Sequence, residues 1–492
     1  MRFPWSDVWA ILPELLVIGA ACLILVLDPI TSVARKDGLA WIGLATLAIC
    51  CGFTAAHMDG RTTAFSGLVI LDGYAAFWKL LLYVVTGLTI LLSLAYLKEE
   101  RIVLGEYYGF LLLSLCGMMV MVSAADLLTL YLGMELMSLS LYILAGVKRY
   151  EARSLEAAAK YFVLGAFSSG MMLYGISLLF GATGSTKLDG IAAAIGTGEM
   201  QDPMLVLAML LLLVGFGFKI AAVPFHMWTP DVYEGSPTAV TAFMAVASKA
   251  ASFAAFLRVF VEGLGGIRSD WAGLLTLICL ATLMIGNLVA LVQTNIKRML
   301  AYSSIAHAGY ALVGIVAIGS ATGGAETEQS IASVMLYLAM YAFMTLGAFS
   351  IVAMLRRNGL ESEELDAFAG LARREPVAAF LMLIFMVSLA GLPPTAGFIG
   401  KLYVFLAAVH SGLTWLAVFA LVFAAVSAYY YLRVVMAIYM REPDQGGAPV
   451  PVLASSPALT IVLTCATAGV IMLGLFPGPL VSLATQAILT LR

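Results

Sequence analysis

The sequence predicts an all-α polytopic membrane protein of about 14 transmembrane helices, built as two inverted five-helix repeats with helices 7 and 12 broken. Composition is the first observation behind this. Of 492 residues, 62% are hydrophobic and only 11% charged, where soluble domains carry about 25% charged residues. So few charges cannot cover a soluble surface, which places the chain in a bilayer. The second observation is that the apolar runs are continuous, not alternating, which excludes a β-barrel. At roughly 35 residues per span and loop, the length accommodates about 14 helices. The third is that two of the runs are interrupted by Pro and Gly at depth. No polar stretch is long enough to make a soluble domain.

The balance of 26 Lys+Arg against 29 Asp+Glu leaves a formal charge of -3. There is no basic surplus for phosphate, so nucleic acid is not an expected partner. The cysteines, Cys22, Cys50, Cys51, Cys116, Cys279 and Cys465, all lie in apolar runs without a C-x-x-C. That argues against a zinc site, an iron–sulfur cluster or a disulfide framework. No G-x-G-x-x-G follows a strand pattern, so no dinucleotide site is expected. Neither a metal nor a cofactor is expected on this chain.

The spans read in order as 9–28, 38–56, 73–97, 106–124, 126–147, 155–181, 203–222, 237–264, 271–294, 297–319, 328–355, 376–410, 413–440 and 457–477. Span 1 follows a lone Arg2 and is interrupted at Pro13–Glu14, unlike a cleaved signal peptide. Span 5 opens at Asp126, which reads as an N-cap, and carries Glu135 at mid-span. Span 6 carries Lys160 near its start. Span 7 runs through Lys219 into Val223-Pro224-Phe225-His226-Met227-Trp228-Thr229-Pro230, where proline removes backbone donors and the helix must break. Lys249 and His307 lie mid-span in spans 8 and 10. After span 11 comes the longest charged stretch, Leu355 to Arg374, which reads as a solvated loop or interfacial helix. Span 12 contains Ala390-Gly391-Leu392-Pro393-Pro394-Thr395-Ala396-Gly397, a second break, with Lys401 just beyond it.

Loops after odd-numbered spans hold Arg35, Lys36, Lys98, Arg101, Lys148, Arg149, Arg153, Lys297, Arg298, Arg356, Arg357, Arg373, Arg374 and Arg441. Loops after even-numbered spans hold only Arg61, Lys187 and Arg268. The asymmetry puts the odd loops in the cytoplasm and both termini outside. Leu164-Gly165-Ala166-Phe167-Ser168 recurs as Leu346-Gly347-Ala348-Phe349-Ser350, and Gly215-Phe216-x-x-Lys219 as Gly397-Phe398-x-x-Lys401, both at an offset of 182. Span 6 then maps to span 11 and span 7 to span 12. Five spans is an odd number, so the copies face opposite ways, the inverted-repeat plan of ion transporters. The expected units are residues 1–105 (spans 1–3), 106–265 (spans 4–8, first repeat), 266–441 (spans 9–13, second repeat) and 442–492 (span 14).

Ionisable groups within spans cost several kcal/mol and default to a functional reading. Glu135 and Lys249 are too far from a span end to reach water. Lys219 and Lys401 flank the breaks. Lys160, near a span edge, is a proton carrier or snorkels; His226 caps a helix end or carries protons; His307 is a relay or a satisfied core histidine. Lys79, Arg258 and Arg433 read as snorkelling cations. Desolvation disfavours a buried ammonium and a nearby carboxylate favours it. Opening and closing a Glu135–Lys219 pair would therefore switch the lysine between holding and releasing a proton. Lys249, His307 and Lys401 would continue the path, with water held by Tyr302, Ser303, Ser304 and Tyr310. A charge crossing about 150 mV needs roughly 3.5 kcal/mol, from ~2.3 per 100 mV. The second repeat has Ala317 where Glu135 maps and Tyr431 where Lys249 maps, so the two halves are not equivalent.

The run Lys219-Ile220-Ala221-Ala222-Val223-Pro224-Phe225-His226-Met227-Trp228-Thr229-Pro230-Asp231-Val232-Tyr233, followed by Glu234-Gly235-Ser236-Pro237-Thr238, resembles the signature of antiporter-like subunits. These occur in respiratory complex I, the NADH–quinone oxidoreductase, and in multisubunit cation/proton antiporters. Within that superfamily the chain resembles the bacterial N-type subunits. It has Lys401 in Gly391-Leu392-Pro393-Pro394-Thr395-Ala396-Gly397-Phe398-Ile399-Gly400-Lys401, where M-type subunits usually have Glu. It has Lys160-Tyr161-Phe162-Val163-Leu164-Gly165-Ala166-Phe167-Ser168-Ser169-Gly170 in span 6, and no long lateral helix after span 14. The resemblance implies that Glu135, Lys219, Lys249, His307 and Lys401 lie on a proton pathway. It implies a pumping subunit in the bacterial inner membrane, with NADH, flavin, iron–sulfur clusters and quinone held by partner subunits. Those partners would include a second antiporter-like subunit and small helical subunits. The alternative is a subunit of a cation/proton antiporter.

Overall fold

Apolar periodicity alone cannot end a helix in a bilayer; polar caps and backbone breaks do. The computed structural model describes residues 5–58, 60–196, 202–357, 360–361, 363–442, 452–453 and 456–490. Among these residues thirteen helices are long and apolar enough to cross a membrane. Two shorter ones, Pro376–Ala390 and Ala396–His410, make up span 12. The other spans are Leu12–Leu27, Asp37–Ala56, Gly73–Glu99, Glu106–Ser123, Leu127–Ala145, Ala152–Thr183, Pro203–Ile220, Thr238–Gly263, Arg268–Ala290, Ile296–Ser320, Gly324–Met354, Thr414–Met440 and Pro457–Leu475. The all-α membrane architecture and the span count are those read from the sequence. Asp72, Asp126, Asp202, Asn295 and Ser456 each accept a first-turn backbone amide and so start their helices. Pro13 stands at the opening of span 1 and does not interrupt it.

Spans 8, 10 and 11 form the protein-buried heart, while spans 1, 2, 6, 9, 13 and 14 surround it and face outward. In lipid, helices associate through close backbone approach at small residues. Gly117 of span 4 meets span 5 so closely that a Cβ would lie 2.4 Å from the Met137 amide nitrogen. Gly286 of span 9 meets span 10 likewise, 2.6 Å from the Ala306 nitrogen.

Both breaks are present. Span 7 stops at Ile220, with Ala221 in the left-handed region, and resumes as Trp228–Gly235. Span 12 stops at Ala390, with left-handed Gly391, and resumes at Ala396. The bonds Val223–Pro224 and Pro393–Pro394 are cis. Superposing the breaks therefore needs an offset of 170, from Ala221 to Gly391, not 182. Lys219 lies in the half-helix before its break and Lys401 in the half-helix after its own. The sequence match equated two lysines that the backbone puts on opposite sides.

Other features lie beyond the sequence pattern. Span 8 contains two π turns, Met244–Ser248 and Val259–Gly263. Short helices form at Leu188–Ile195 and Gly478–Leu489. Thr62–Ala64 pairs antiparallel with Val69–Leu71 in the loop before span 3. The 355–374 stretch is not simply a solvated loop: strands Leu355–Arg357 and Leu360–Glu361 pair, and Leu365, Phe368 and Leu371 are buried. It packs because apolar residues alternate with its charges.

Candidate proton-transfer axis

Lys219 ends the half-helix of span 7, and its side chain crosses to span 5. There Nζ donates to Ser138 Oγ at 2.6 Å, and the ammonium lies 5.9 Å from the Tyr142 ring and 5.6 Å from the Phe218 ring. Ser138 in turn donates to the Met134 carbonyl one turn back. Glu135, on the preceding turn, is half-buried, with one carboxylate oxygen sealed from solvent and without a hydrogen-bond partner. Among the described residues no ion pair joins Glu135 to Lys219. The expected direct contact is replaced by a hydroxyl, because Ser138 stands one turn nearer the lysine.

Lys249 comes directly after the first π turn of span 8. A π turn adds a residue to the helical register and so re-aims the side chains beyond it. Nζ donates 2.6 Å bonds to both the carbonyl and the Oγ of Ser304 on span 10. Tyr341 of span 11 donates to the same Ser304 Oγ at 2.8 Å. One turn on, His307 is held between Tyr337 at Nδ1, 2.5 Å, and Tyr431 at Nε2, 3.0 Å. Ser303 bonds to Tyr431. A further turn brings Tyr310, whose ring lies 4.8 Å from the Lys401 ammonium. Ser304, His307 and Tyr310 thus share one face of span 10, at the three-to-four-residue spacing of a helix.

Lys401 donates to the Leu389 and Ala390 carbonyls at 3.0 and 2.9 Å. These are orphan carbonyls at the C-terminus of the first half of span 12, the negative end of its dipole. At the first break the matching task falls to Trp228, whose indole N–H caps the Phe218 carbonyl at 3.0 Å. A cation serves as cap in one break and a neutral indole in the other.

The structure therefore brings Lys249, His307 and Lys401 into one buried row along span 10, with hydrogen bonds to hydroxyls at Lys249 and His307 and a ring contact to Tyr310 at Lys401. It sets Lys219 at the flank beside Glu135. Lys160 is elsewhere: it is partly exposed and pairs with Asp231 at 2.7 Å and Glu156 at 2.8 Å. Asp231 and Glu234 also bind Arg298, at 2.9 and 2.6 Å. His226 sits half-buried in the first break with Nδ1 unbonded. Tyr302 is half-buried, off the row, unlike Ser303, Ser304 and Tyr310.

Three snorkelling expectations are corrected. Arg258 is fully buried, its NH1 and NH2 each 2.9 Å from an Asp72 oxygen. Lys79 is buried against Glu14 at 2.6 Å. Arg433 turns inward to the Leu291 and Gln293 carbonyls that end span 9. Position along a span shows how far each lies from an end, not where its side chain points. Asp126 does cap span 5. Sequence reasoning missed Ser138, Tyr142, Tyr337 and Tyr341. Tyr337 and Tyr341, four apart in an apolar span, were the one readable signal.

The family described as NADH:quinone oxidoreductase/Mrp antiporter, TM matches residues 124–427, which include Lys219, Lys249, Ser304, His307 and Lys401 but not Tyr431. NADH-quinone oxidoreductase subunit N 2 of Rhizobium meliloti is 47% identical over 481 residues, covering 97% of this chain and 98% of that one. The chain belongs to the NADH-quinone oxidoreductase subunit N family. Subunit N of Thioalkalivibrio sulfidiphilus is 44% identical over 492 residues, covering 99% of this chain and all of that one. Among solved structures, a chain of respiratory complex I from Thermus thermophilus matches with TM-score 0.81 and 34% identity, over 96% of this chain and 99% of that one. A chain of the Mrp complex from Dietzia sp. has TM-score 0.83 at 20% identity, over 99% and 98%. That second likeness concerns the fold alone.

Proposed function

We propose that this subunit N family member translocates protons across the cell membrane, driven by electron transfer from NADH to quinone in other subunits of the complex. It would hold no redox centre of its own, and its partners would be further antiporter-like and small helical membrane subunits. The observation that carries this is the buried row Lys249–Ser304–His307–Lys401. Its hydroxyls and imidazole can each accept one proton while giving another.

In this reading Glu135 sets the charge beside Lys219. With the carboxylate ionised, Lys219 keeps its proton against desolvation; with it neutral, the proton is released toward span 8. Lys249 passes it through Ser304 to His307, and Lys401 receives it at the second break. The two halves act as inverted copies with unequal equipment, since only the first has an acid beside its lysine.

The test is pumping in the assembled complex. Lys219→Ala and Glu135→Ala are each expected to abolish most NADH-driven proton translocation while assembly persists. Wild-type protons per electron in either variant would refute the pathway. Proton movement driven by a sodium gradient without NADH would favour the antiporter reading instead.

A further inference from the structure

Spans 1–3 lie outside the region matched by the family, yet they hold a buried ion pair that the row does not use. Lys79 of span 3 donates to Glu14 Oε1 of span 1 at 2.6 Å, with side chains 5% and 7% exposed. The other Glu14 oxygen is buried without a partner, and Lys79 has no second acceptor among the described residues. A buried pair repays its desolvation only when its remaining lone pairs and protons are satisfied. The Arg258–Asp72 pair meets that condition better, with two bonds of 2.9 Å and Glu262 at 3.0 Å. The Glu14–Lys79 pair does not.

What it lacks, water can supply. A narrow crevice beside Lys79, lined also by Thr54, His57 and Asp72, has about 20 Å³ of space for water centres, room for one molecule. It reaches the surface at exposed His57, beside the 57–72 loop. The titratable groups facing the pair from its neighbours are Cys50 of span 2, Tyr83 of span 3 and Cys116 of span 4, with His57 and Asp72 on the crevice wall. Cys50 donates to the Pro13 carbonyl and Cys116 to the Glu14 carbonyl, at 3.6 and 3.8 Å.

We propose that Glu14 and Lys79 form a second proton-exchange site, separate from the row and open through this crevice to the face of the 57–72 loop. Lys79 Nζ passes a proton to Glu14 Oε1: an N–H bond breaks, an O–H bond forms, and two charges become two neutral groups. A hydrated proton in the crevice then reprotonates Nζ, leaving water and a site one proton richer. The crevice wall is tied to the row. Asp72 is clamped by Arg258, the last residue of the helical segment that Lys249 begins.

The inference rests on the proton-translocation reading, so Lys219→Met serves as reference. In the assembled complex, Glu14→Gln/Lys79→Met is expected to slow NADH-driven proton pumping at least twofold, with Lys79→Arg retaining more than half. His57→Cys, at the exposed mouth of the crevice, is expected to react from the loop face with a membrane-impermeant thiol reagent, which plugs the crevice and slows pumping at least twofold. That labelling keeps the test decisive if the double variant fails to assemble. Wild-type pumping in the double variant, with Lys219→Met inactive, makes the pair a structural pin and overturns this inference alone. Wild-type pumping after full labelling of His57→Cys overturns it too. Normal pumping in Lys219→Met refutes the underlying reading.

Discussion

Single hydroxyls decide whether the buried ammonium groups are tolerable. Ser138 is the acceptor for Lys219. Leaving a buried charged donor unsatisfied costs about 1–3 kcal/mol or more. Ser138→Ala is therefore expected to slow NADH-driven pumping about tenfold without loss of assembled complex, whereas Ser138→Thr keeps the hydroxyl and most of the rate. Parallel pumping assays with complex yields separate these outcomes. Asp72 offers the opposite case, a structural one. Asp72→Ala leaves a fully buried Arg258 with Glu262 as its remaining acidic partner, at a cost below that of a wholly unpaired buried charge, about 3–5 kcal/mol. The expected result is a lowered midpoint for thermal disassembly of the complex. Charged residues were legible in the sequence because charge is scarce in lipid. Their partners were not: Asp72 meets Arg258 across 186 positions, and the hydroxyls that hold Lys219 and His307 are ordinary residues of apolar spans.

At the scale of elements, the two breaks were legible because Pro and Gly have backbone consequences that need no tertiary context. Their register was not, because a short sequence match can join lysines that sit on different half-helices. The π turns of span 8 were invisible for a related reason: no residue type encodes them. The breaks also differ in strain. Ala221 adopts the left-handed region at φ 60, where Gly391 does so at φ 85. A side chain costs roughly 1–2 kcal/mol there. Ala221→Gly should thus be tolerated and raise or preserve thermal stability. Gly391→Ala should do harm twice over, since its Cβ would also come within 2.8 Å of Lys401 Cδ. Comparing both variants by thermal stability and by pumping tests the assignment: Gly391→Ala should lose both, and Ala221→Gly neither.

For the whole molecule, the direction of transfer depends on which face is which. Lys219 lies about 24 Å along its half-helix from Pro203, at 1.5 Å per residue. Lys401 lies about 14 Å short of His410 on the same basis. Both of those helix ends adjoin loops after even-numbered spans, which the Lys/Arg asymmetry puts outside the cell. In a hydrocarbon core about 30 Å thick, Lys219 would then sit toward the cytoplasm and Lys401 near the midplane. Under the proposed function the path would run from an inner entrance at Lys219 to the midplane at Lys401, with Lys249 and His307 between, and leave outward from there. Loop charge and half-helix length together give this ordering, and neither suffices alone. Fusions at the C-terminus decide it. Alkaline phosphatase, which folds only outside, should be active there, and green fluorescent protein, which matures only inside, should be dark. After Arg149, in the loop following span 5, the two reporters should give the reverse. A bright C-terminal fluorescent fusion would turn the subunit over, exchange the entrance and the exit, and place Lys401 first in the row.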